Sequence, residues 1–381
     1  MVLPALQRPP CLVDFSGGRD SSLVLAVATS LARREGLPLP VPRTRRFLSD
    51  PASKEDEWQE MVVRHLRLPD WEVAGLTGEL DIVGERAQSF LRRYGLLFPA
   101  PLYVLTESLG LAQGGSRLTG EGGDEVFGER RASFVRFAIE SPGRLRRRRT
   151  LKAIIRNVAP RPARSLLLWY EYSKTLPCAS WLRPGPARRV AREMALSDGN
   201  EPLQWGESLR WFLGRRVIAA HSHNVAIIAA DHDVLHLDPL LDRGFVASLA
   251  RCGGRYGFAT RTQAMKFMAQ DLLPQALLER RSKPIFNTAY FTATARSFAE
   301  GWDGSGVDDQ LVDPEKLRAE WLSDLPAAPS FLLLQAAWLA QQSKWLAQQS
   351  KRTGKQLAPP LAPPPGDGAQ RSPAAGALER S

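Results

Sequence analysis

Cysteine is scarce in this sequence, which has Cys11, Cys178 and Cys252 among its 381 residues. The three lie far apart and form no CxxC pair, which excludes the usual spacings of a zinc site or a disulfide framework. We expect Cys11 to pack at the start of a strand. Reduced thiols are typical of cytoplasmic proteins, and a cytoplasmic location is the one we expect here.

Histidine is also rare, and its spacing gives no metal motif. Four of the five histidines fall within a stretch of sixteen positions, at His221, His223, His232 and His236. They are not accompanied by carboxylates at the spacings of a metal centre. We therefore interpret these four side chains as structural or surface residues.

Long hydrophobic runs are missing as well. No apolar run reaches the roughly 18 residues that a membrane span requires, and residues 1–8 lack the apolar core of a signal peptide. We find no internal repeat. With 44% hydrophobic and 24% charged residues, the composition is that of a soluble globular protein. The length suits one large domain or two moderate ones, and we expect no membrane partner.

The charge is strongly unbalanced, with a net value of +11. The basic residues are concentrated at positions 144–152, RLRRRRTLK. This run is a solvated helix face or loop, or it binds an acidic peptide or RNA. No interleaved aromatic residues and no nucleic-acid motif accompany it, so we do not expect a nucleic-acid partner. The role of the run stays open.

The most informative stretch is residues 12–22, LVDFSGGRDSS. An apolar run, Ser-Gly-Gly and an apolar-rich segment form the pattern of strand, tight loop and helix. Glycines and a helix N-terminus both favour bound phosphate. Ser16 and Ser21 add hydroxyl donors, and Asp20 suits a Mg²⁺ ion that bridges to phosphate. The pattern predicts a phosphate-binding loop; the alternative is a plain turn capped by Asp20 and Ser21.

This loop is not of the GxxxxGK[ST] type, because no Lys follows its glycines. It resembles the PP-loop of ATP pyrophosphatases, SGGxDS. Those enzymes cleave ATP between the α and β phosphates and usually leave an adenylated substrate. They include asparagine synthetases, GMP and NAD synthetases and tRNA-modifying enzymes. This motif alone does not distinguish among them.

The rest of the first third alternates between strand and helix patterns, which predicts an α/β fold with a parallel sheet. We expect strands at 43–48 and 71–73 and helices at 55–66, 80–91 and 99–111. Beyond residue 130 the sequence is mostly helical. We expect helices at 207–230 (with a kink near Gly214), 263–278 and 331–347, and a turn at 237–242.

A second glycine-rich loop follows at residues 119–128, TGEGGDEVFG. In an open α/β sheet, loops at the carboxyl ends of strands meet at the ligand site. The two acidic, glycine-rich loops together therefore predict a site for Mg-ATP. Alone, the second loop would be a turn with solvated acidic residues.

With both loops present, the chain resembles the synthetase domain of asparagine synthetases over roughly residues 11–350. Residues 238–242, DPLLD, look like that family's PFLD turn, and residues 271–286 look like its LP…R.K..F segment. The resemblance implies a parallel sheet of the adenine-nucleotide alpha-hydrolase (PP-loop) type followed by a mostly helical region. It implies a synthetase domain at 1–355, with an α/β core at about 10–130 and a helical part at 131–355. Residues 356–381, rich in Pro, Ala and Gly, are predicted to be disordered.

The resemblance also implies roles for individual residues, with ATP as co-substrate and Mg²⁺ as cofactor. Asp20 and Asp124 would hold Mg²⁺, and Lys283 would stabilise charge as pyrophosphate leaves. Glu121 would lie at the reacting centre and accept a proton from the amine. Residues that would bind ATP are Phe15, Ser16, Gly17, Gly18, Asp20, Ser21, Thr119 and Gly120, of which Phe15, Thr119 and Gly120 would lie near the adenosine.

The sequence departs from the family pattern at two points. The PP-loop begins at residue 16, which leaves no room for an N-terminal glutaminase domain, so we expect ammonia or an amine to come from elsewhere, for example from a separate amidase. The family's E-x-R-x-P-F-L-D turn has Leu235 and Leu237 at its charged positions. This raises the question of whether free aspartate is the substrate. Lasso-peptide cyclases, which activate an Asp or Glu side chain of a precursor peptide, resemble this arrangement of motifs. β-Lactam synthetases are another variant of it.

Three hypotheses follow for the function. The first is an ATP-dependent, Mg²⁺-requiring carbon–nitrogen ligase that adenylates a carboxylate, either aspartate or a side chain of a precursor peptide closed into a macrolactam. The second, suggested by the charge, is a tRNA-modifying ATP pyrophosphatase, although no sulfur-carrying CxxC is present. The third is a non-catalytic ATP-binding partner of another enzyme, against which the intact acidic residues argue. The carboxylate, the amine, any peptide-biosynthesis partner and the oligomeric state stay open.

Overall fold

The fold is built on one sheet of five parallel strands, in the order β3-β2-β1-β4-β5. It is described in a computed structural model that covers residues 1–48, 55–140, 148–280 and 287–353. The strands are β1 (Cys11–Asp14), β2 (Val41–Phe47), β3 (Glu72–Leu76), β4 (Ser116–Leu118) and β5 (Leu235–Leu237).

Helices make up most of the remaining described chain. They are α1 (Leu3–Leu6), α2 (Arg19–Glu35), α3 (Asp56–Leu66), α4 (Glu85–Tyr94), α5 (Leu105–Leu111), α6 (Gly123–Phe127), α7 (Arg131–Glu140), α8 (Arg148–Val158), α9 (Arg161–Thr175), α10 (Pro184–Gly199), α11 (Trp205–Leu213), α12 (Arg216–Asp231), α13 (Arg243–Gly253), α14 (Arg261–Ala269), α15 (Gln275–Glu279), α16 (Asn287–Tyr290), α17 (Ala293–Gly301), α18 (Pro314–Trp321) and α19 (Phe331–Thr353). Short 3₁₀ helices lie at Ala100–Val104, Pro177–Ser180, Pro239–Leu241 and Ala328–Ser330. Among the described residues, no helix combines the length and the apolar character needed to cross a membrane.

The central strand β1 is buried on both faces, as its apolar sequence predicts. Side chains of successive strand residues point to opposite faces. Accordingly, Leu12 belongs to one apolar core and Val13 to the other. The core that contains Val13 lies against α2 and α3, and the core that contains Leu12 lies against α4, α12 and α19. Helices therefore cover both faces of the sheet, as in other doubly wound α/β folds.

The strand order places the topological switch point at β1. From β1 the chain runs outward through β2 to β3, and then returns to place β4 and β5 on the other side of β1. Ligands of open α/β sheets bind in the crevice at the carboxyl ends of the strands at such a point. Here that crevice lies between the segments that follow β1 and β4.

The predicted α/β class and parallel sheet are confirmed, but several boundaries were wrong. The fifth strand, β5, was not predicted, because a Leu-His-Leu triplet is too short to show alternation. The expected helix at 207–230 is two helices, α11 and α12, which are separated at Gly214 and Arg215. The expected helix at 80–91 begins only at Glu85, after Gly84. The division into a core and a helical part stays a prediction, and the tail at 356–381 lies outside the described residues.

A buried ion pair joins the start of α3 to the end of α15. Arg280 donates two hydrogen bonds to the carboxylate of Glu55, and both side chains are only 5% exposed. The Arg280 guanidinium also donates to the backbone carbonyl of Gly17 (3.3 Å) and lies 4.9 Å from the ring centroid of Trp58. The segment after β1 is thus fixed by residues that are distant in sequence.

Replacing Glu55 by Ala should lower the free energy of unfolding by about 3 kcal/mol, because it removes the carboxylate that offsets the buried charge of Arg280. Urea unfolding followed by tryptophan fluorescence measures the change. Glu60→Ala is the matched control, since Glu60 forms an exposed pair with Arg46 (3.2 Å) and should cost less than about 1 kcal/mol. Equal losses in the two variants would contradict this account of the Glu55 pair.

Candidate functional site

The two glycine-rich loops lie directly against each other at the switch point. A Cβ atom on Gly120 would lie 2.5 Å from the backbone nitrogen of Ser21. A Cβ atom on Gly123 would overlap the carboxyl group of Asp20. Only glycine allows the two loops to approach this closely, which explains why positions 120 and 123 of the second loop are glycines.

The PP-loop, residues 16–22, has the backbone form that an anion site requires. Gly17 has φ +82°, and a side chain there would lie within 2.8 Å of Gln59. The hydroxyl groups of Ser16 and Ser21 lie 3.1 Å apart, and Ser16 Oγ accepts a hydrogen bond from the Gly18 N–H (3.3 Å). Helix α2 begins within this stretch, at Arg19. Gly18, Asp20 and Ser21, at the N-terminus of this helix, line the crevice between the loops.

A cavity of about 310 Å³ occupies this crevice. It lies between the two loops, the carboxyl ends of the strands, and the helices α5 and α12. Its walls include Asp14, Ser16, Gly18, Asp20, Ser21, Arg45, Leu105, Arg117, Thr119, Gly120, Glu121, His221, Val225, His236 and Asp238. A second cavity of about 150 Å³ shares the walls formed by Asp14, Ser16 and Arg45.

One guanidinium joins the two loops. Arg261, at the start of α14, donates hydrogen bonds to Asp20 through Nη2 and to Asp124 through Nη1. Arg19 of the PP-loop reaches towards the same region and donates to Thr262 Oγ1 (3.2 Å). Asp20 and Asp124 therefore flank a single positive charge, although they are 104 positions apart.

The donor set fits a divalent cation. Asp20 Oδ1 is inaccessible to solvent and has no hydrogen-bond partner among the described residues. Burial raises the pKa of Asp20, and the charge of Arg261 opposes that rise. Within the described ranges, no group of three or more His, Cys, Asp or Glu residues could hold a metal. Two carboxylates that leave other positions to phosphates and water are the usual protein ligands of Mg²⁺.

A row of charged side chains crosses the sheet beneath the cavity. In the sheet register, Arg117 pairs with His236 and with Leu12, which is two positions before Asp14. Asp14, Arg117 and His236 therefore point to one face. Arg117 donates to Asp14, and Arg45 lies 3.5 Å from the same carboxylate. Although burial opposes the change, the charges of Arg117 and Arg45 lower the pKa of Asp14. Asp14 therefore stays ionised in the cavity wall.

The row continues through His236 to the second loop. Arg117 can only donate, so His236 Nδ1 accepts (3.0 Å) and Nε2–H donates to Asp238 (3.1 Å). Burial alone would raise the pKa of Asp238, but the hydrogen bond from His236, together with Thr119, lowers it to about 2. The Thr119 hydroxyl donates to Asp238 and accepts from the backbone N–H of Glu121 (3.1 Å). The position of Glu121 thus depends on β5.

Glu121 has a strongly perturbed carboxylate. Its side chain reaches solvent where the cavity opens. Partial removal from water, together with the negative charges of Asp238 and Glu125, raises the pKa of Glu121 to about 7. A carboxylate with a pKa near neutrality can both accept and return a proton, which is the property of a general base or acid.

The structure brings together most of the residues predicted from the two loops. Ser16, Gly18, Asp20, Ser21, Thr119, Gly120 and Glu121 line the larger cavity. Asp124 contacts the same Arg261 as Asp20, and Gly17 shapes the turn. The side chain of Phe15 is 2% exposed in the core under α2 and borders the smaller cavity. Lys283 lies outside the described residues.

Other residues of the site were missed, or were interpreted differently from the sequence. His221 and His236, taken as structural or surface residues, line the cavity. A charged residue inside a buried strand, as at Asp14 and Arg117, was a signal that could have been used. Arg261 gave none, because nothing in its local sequence indicates that it meets loops more than 130 residues away.

The fold and this site are those of an α/β nucleotide-binding domain of the PP-loop type. Comparison with protein families then gives one match, in which the asparagine synthase family covers residues 5–347. The chain therefore belongs to the asparagine synthase family. A comparison with curated proteins gave no match. Membership makes this protein an ATP-dependent, amide-forming carbon–nitrogen ligase, since enzymes of this family use ATP.

The contact between the loops can be tested at Gly123. Gly123→Ala should weaken ATP binding by at least about tenfold, because the added methyl group displaces the Asp20 carboxyl group, a shift of at least about 1.4 kcal/mol. Isothermal titration with ATP and Mg²⁺ measures this effect. Gly110→Ala, on α5 with open space around its Cα, adds the same methyl group and should leave binding unchanged. Normal binding in the Gly123 variant would show that the loop contact is unimportant.

Proposed function

We propose that this protein activates a carboxylate with ATP as an acyl-adenylate, releases pyrophosphate, and transfers the acyl group to ammonia or another amine. The observation that carries the proposal is the junction of the two loops. It puts a glycine-rich turn, Asp20 and a carboxylate with a pKa near 7 around one cavity, and it joins Asp20 to Asp124 through the guanidinium of Arg261. Adenylation followed by aminolysis requires these three elements.

The first step needs ATP held with its α-phosphate accessible. Ser16, Gly18 and Ser21 line the cavity at the start of α2, and together with Gly17 they would bind the pyrophosphate part. Thr119 and Gly120 would lie near the adenosine. Phe15 would contribute there only through its backbone, because its side chain is buried in the core.

Asp20 and Asp124 would hold Mg²⁺ together with phosphate oxygens. When bound, the ion neutralises charge on the phosphates and on the departing pyrophosphate. Arg261 also supplies positive charge to the same two carboxylates. Both carboxylates are therefore held next to a cationic side chain.

Glu121 would act in the second step. The amine nitrogen attacks the carbonyl carbon of the acyl-adenylate, AMP leaves, and the nitrogen must lose a proton. Glu121 lies in the wall of the cavity and is tied to β5 through Thr119 and Asp238. A pKa of about 7 lets it accept that proton near neutral pH.

Lys283 would stabilise the charge that develops as pyrophosphate leaves, in line with its place in the family motif. One described contact supports this role. Arg280, three residues earlier in the chain, donates to the Gly17 carbonyl of the PP-loop. The described chain therefore reaches the loop just before the Lys283 segment begins.

The carboxylate is aspartate or an Asp or Glu side chain of a peptide, which would be closed into a macrolactam. Leu235 and Leu237 provide no charge on β5. The charges of the cavity come instead from the row of Asp14, Arg45 and Arg117. The amine is then ammonia, supplied by a separate amidase, or an amino group of the peptide.

Incubation with Mg-ATP, aspartate and ammonium, followed by mass spectrometry, tests the proposal. AMP and pyrophosphate should form with asparagine, or with a cyclised peptide when a precursor peptide replaces aspartate. Asp20→Asn and Asp124→Asn should each lower pyrophosphate release about a hundredfold, because each removes a charge that holds the metal. Asp70→Asn, at an exposed turn, is the control. ADP and phosphate as the products, or full activity in both variants, would overturn the mechanism.

The pH profile should respond to Asp238. Because the negative charge of Asp238 raises the pKa of Glu121, Asp238→Asn should lower that pKa. Amide formation needs ionised Glu121, so activity should rise with pH around 7 in the unmodified protein. The rise should occur at a lower pH in the variant.

The dependence of kcat/KM for the amine on pH measures this shift. Glu125→Gln should shift the profile in the same direction by a smaller amount, since Glu125 raises the pKa of Glu121 less than Asp238 does. Asp233→Asn, whose carboxylate forms an exposed pair with Arg8 (2.6 Å), is the control with the same chemical change. Identical profiles in all four proteins would exclude Glu121 as the titrating group.

A further inference from the structure

A second concave surface lies on α9 and α10, away from the catalytic cavity. Its volume is about 730 Å³, more than twice that of the catalytic cavity. It is lined by Arg161, Pro162, Ser165, Leu166, Trp169, Arg192, Ala195, Leu196 and Asn200. We call it the α9–α10 groove. None of its residues lines the catalytic cavity, so the reaction proposed above does not use it.

The floor of the groove is apolar and open to water. Leu166 is 62% exposed, and Trp169 and Leu196 are each 42% exposed. Exposed Leu167 and Tyr170 extend the apolar surface along α9. Single exposed apolar residues are ordinary, but a contiguous apolar patch that forms a concavity is typical of an interaction site. A large aromatic side chain in such a groove is the usual anchor of a binding surface.

The rim of the groove is positively charged. Arg161 and Arg192 line it, and no acidic side chain does. Among the described residues, neither arginine forms an ion pair with a carboxylate. Residues 148–200 carry eleven Lys and Arg against three Asp and Glu, a net +8, whereas the whole chain carries +11. The groove is thus apolar at its base and lies in the most basic part of the chain.

The shape of the groove is fixed by contacts on its other sides. Arg164 of α9 forms a buried ion pair with Glu201, just beyond α10 (2.9 Å). The Tyr172 hydroxyl donates to Asp198 (2.6 Å). Gly199 lies so close to Ser165 that a side chain there would overlap its hydroxyl. Two helices held in this way present a preformed groove, which reduces the entropy lost on binding.

We propose that the α9–α10 groove docks a segment of a partner polypeptide that carries a large apolar side chain flanked by carboxylates. Charge complementarity selects an acidic segment, and the apolar floor selects the anchor. The lining on α9, from Arg161 to Trp169, spans nine residues, or about 12 Å along the helix axis, which accommodates about two turns of a bound helix. A flat membrane would reach only the rim of a concave groove, and RNA would place its phosphates on a floor without charge.

Selection from a displayed library of random peptides against the purified full-length chain is the first test. The enriched peptides should combine Trp, Phe or Leu with Asp and Glu. Fluorescence anisotropy with the most enriched peptide, in labelled form, then measures affinity. Trp169→Ala and Arg192→Glu should each weaken binding by at least about tenfold, as expected for an anchor and for a charge-assisted contact.

Two matched variants serve as controls. Arg189→Glu makes the same charge change on α10 outside the groove, and Trp345→Ala removes an exposed tryptophan (54%) on α19. Both should bind the peptide normally, and thermal melting should show that all four variants fold. Pyrophosphate release should be unchanged in all four, because the groove is separate from the catalytic cavity.

Failure to enrich acidic, apolar peptides would overturn the proposal. Equal weakening of peptide binding by Arg189→Glu and Arg192→Glu would also overturn it, because it would indicate only general charge attraction. The third contrary result is Trp169-dependent binding of anionic phospholipid vesicles or RNA without binding of the peptide. Because the readout is peptide binding, failure of this proposal leaves the ligase proposal untouched, and loss of ligase activity would leave this one untouched.

Discussion

Electrostatic repulsion between two carboxylates is the constraint on which this site depends. Asp20 and Asp124 come from loops that glycine packs into direct contact, and two like charges in such a position are unfavourable unless a cation neutralises them. Arg261 supplies that cation, with one guanidinium nitrogen on each carboxylate. The loops, the helix that carries Arg261 and the acidic pair therefore form one arrangement in which each part requires the others.

The same principle of neutralised charge applies to the floor of the cavity. A parallel sheet covered on both faces is normally apolar throughout, and here Leu12 and Val13 obey that rule. At the carboxyl ends of the strands, however, Asp14, Arg117 and His236 form a charged row in which nearly every group has a partner. Asp14 Oδ1 and Arg117 Nε are exceptions that retain hydrogen-bonding capacity. The row therefore shapes a polar cavity and stays able to contact what enters it.

Sequence patterns predicted what depends on local structure. The PP-loop and the second loop were recognisable because glycines, small hydroxyls and acids are required at close spacing, and strand–helix alternation was enough to predict the parallel sheet. Sequence patterns could not reveal β5, which is a three-residue strand held by its neighbours. They also could not reveal which side chains contact Asp14 on its face of the sheet. Arg261 and the role of His236 depend on contacts between segments more than 100 residues apart, which no local pattern encodes.

The positions of the arginines have a consequence for the way in which the protein is made. The PP-loop and the second loop lie in the first third of the chain, whereas Arg261 and Arg280, which hold them, lie in the last third. Synthesis proceeds from the N-terminus, so the strands β1 to β4 leave the ribosome long before these partners exist. A nascent chain can build β1 to β4 early, but it acquires the complete nucleotide site only after residues 261–280 have been made.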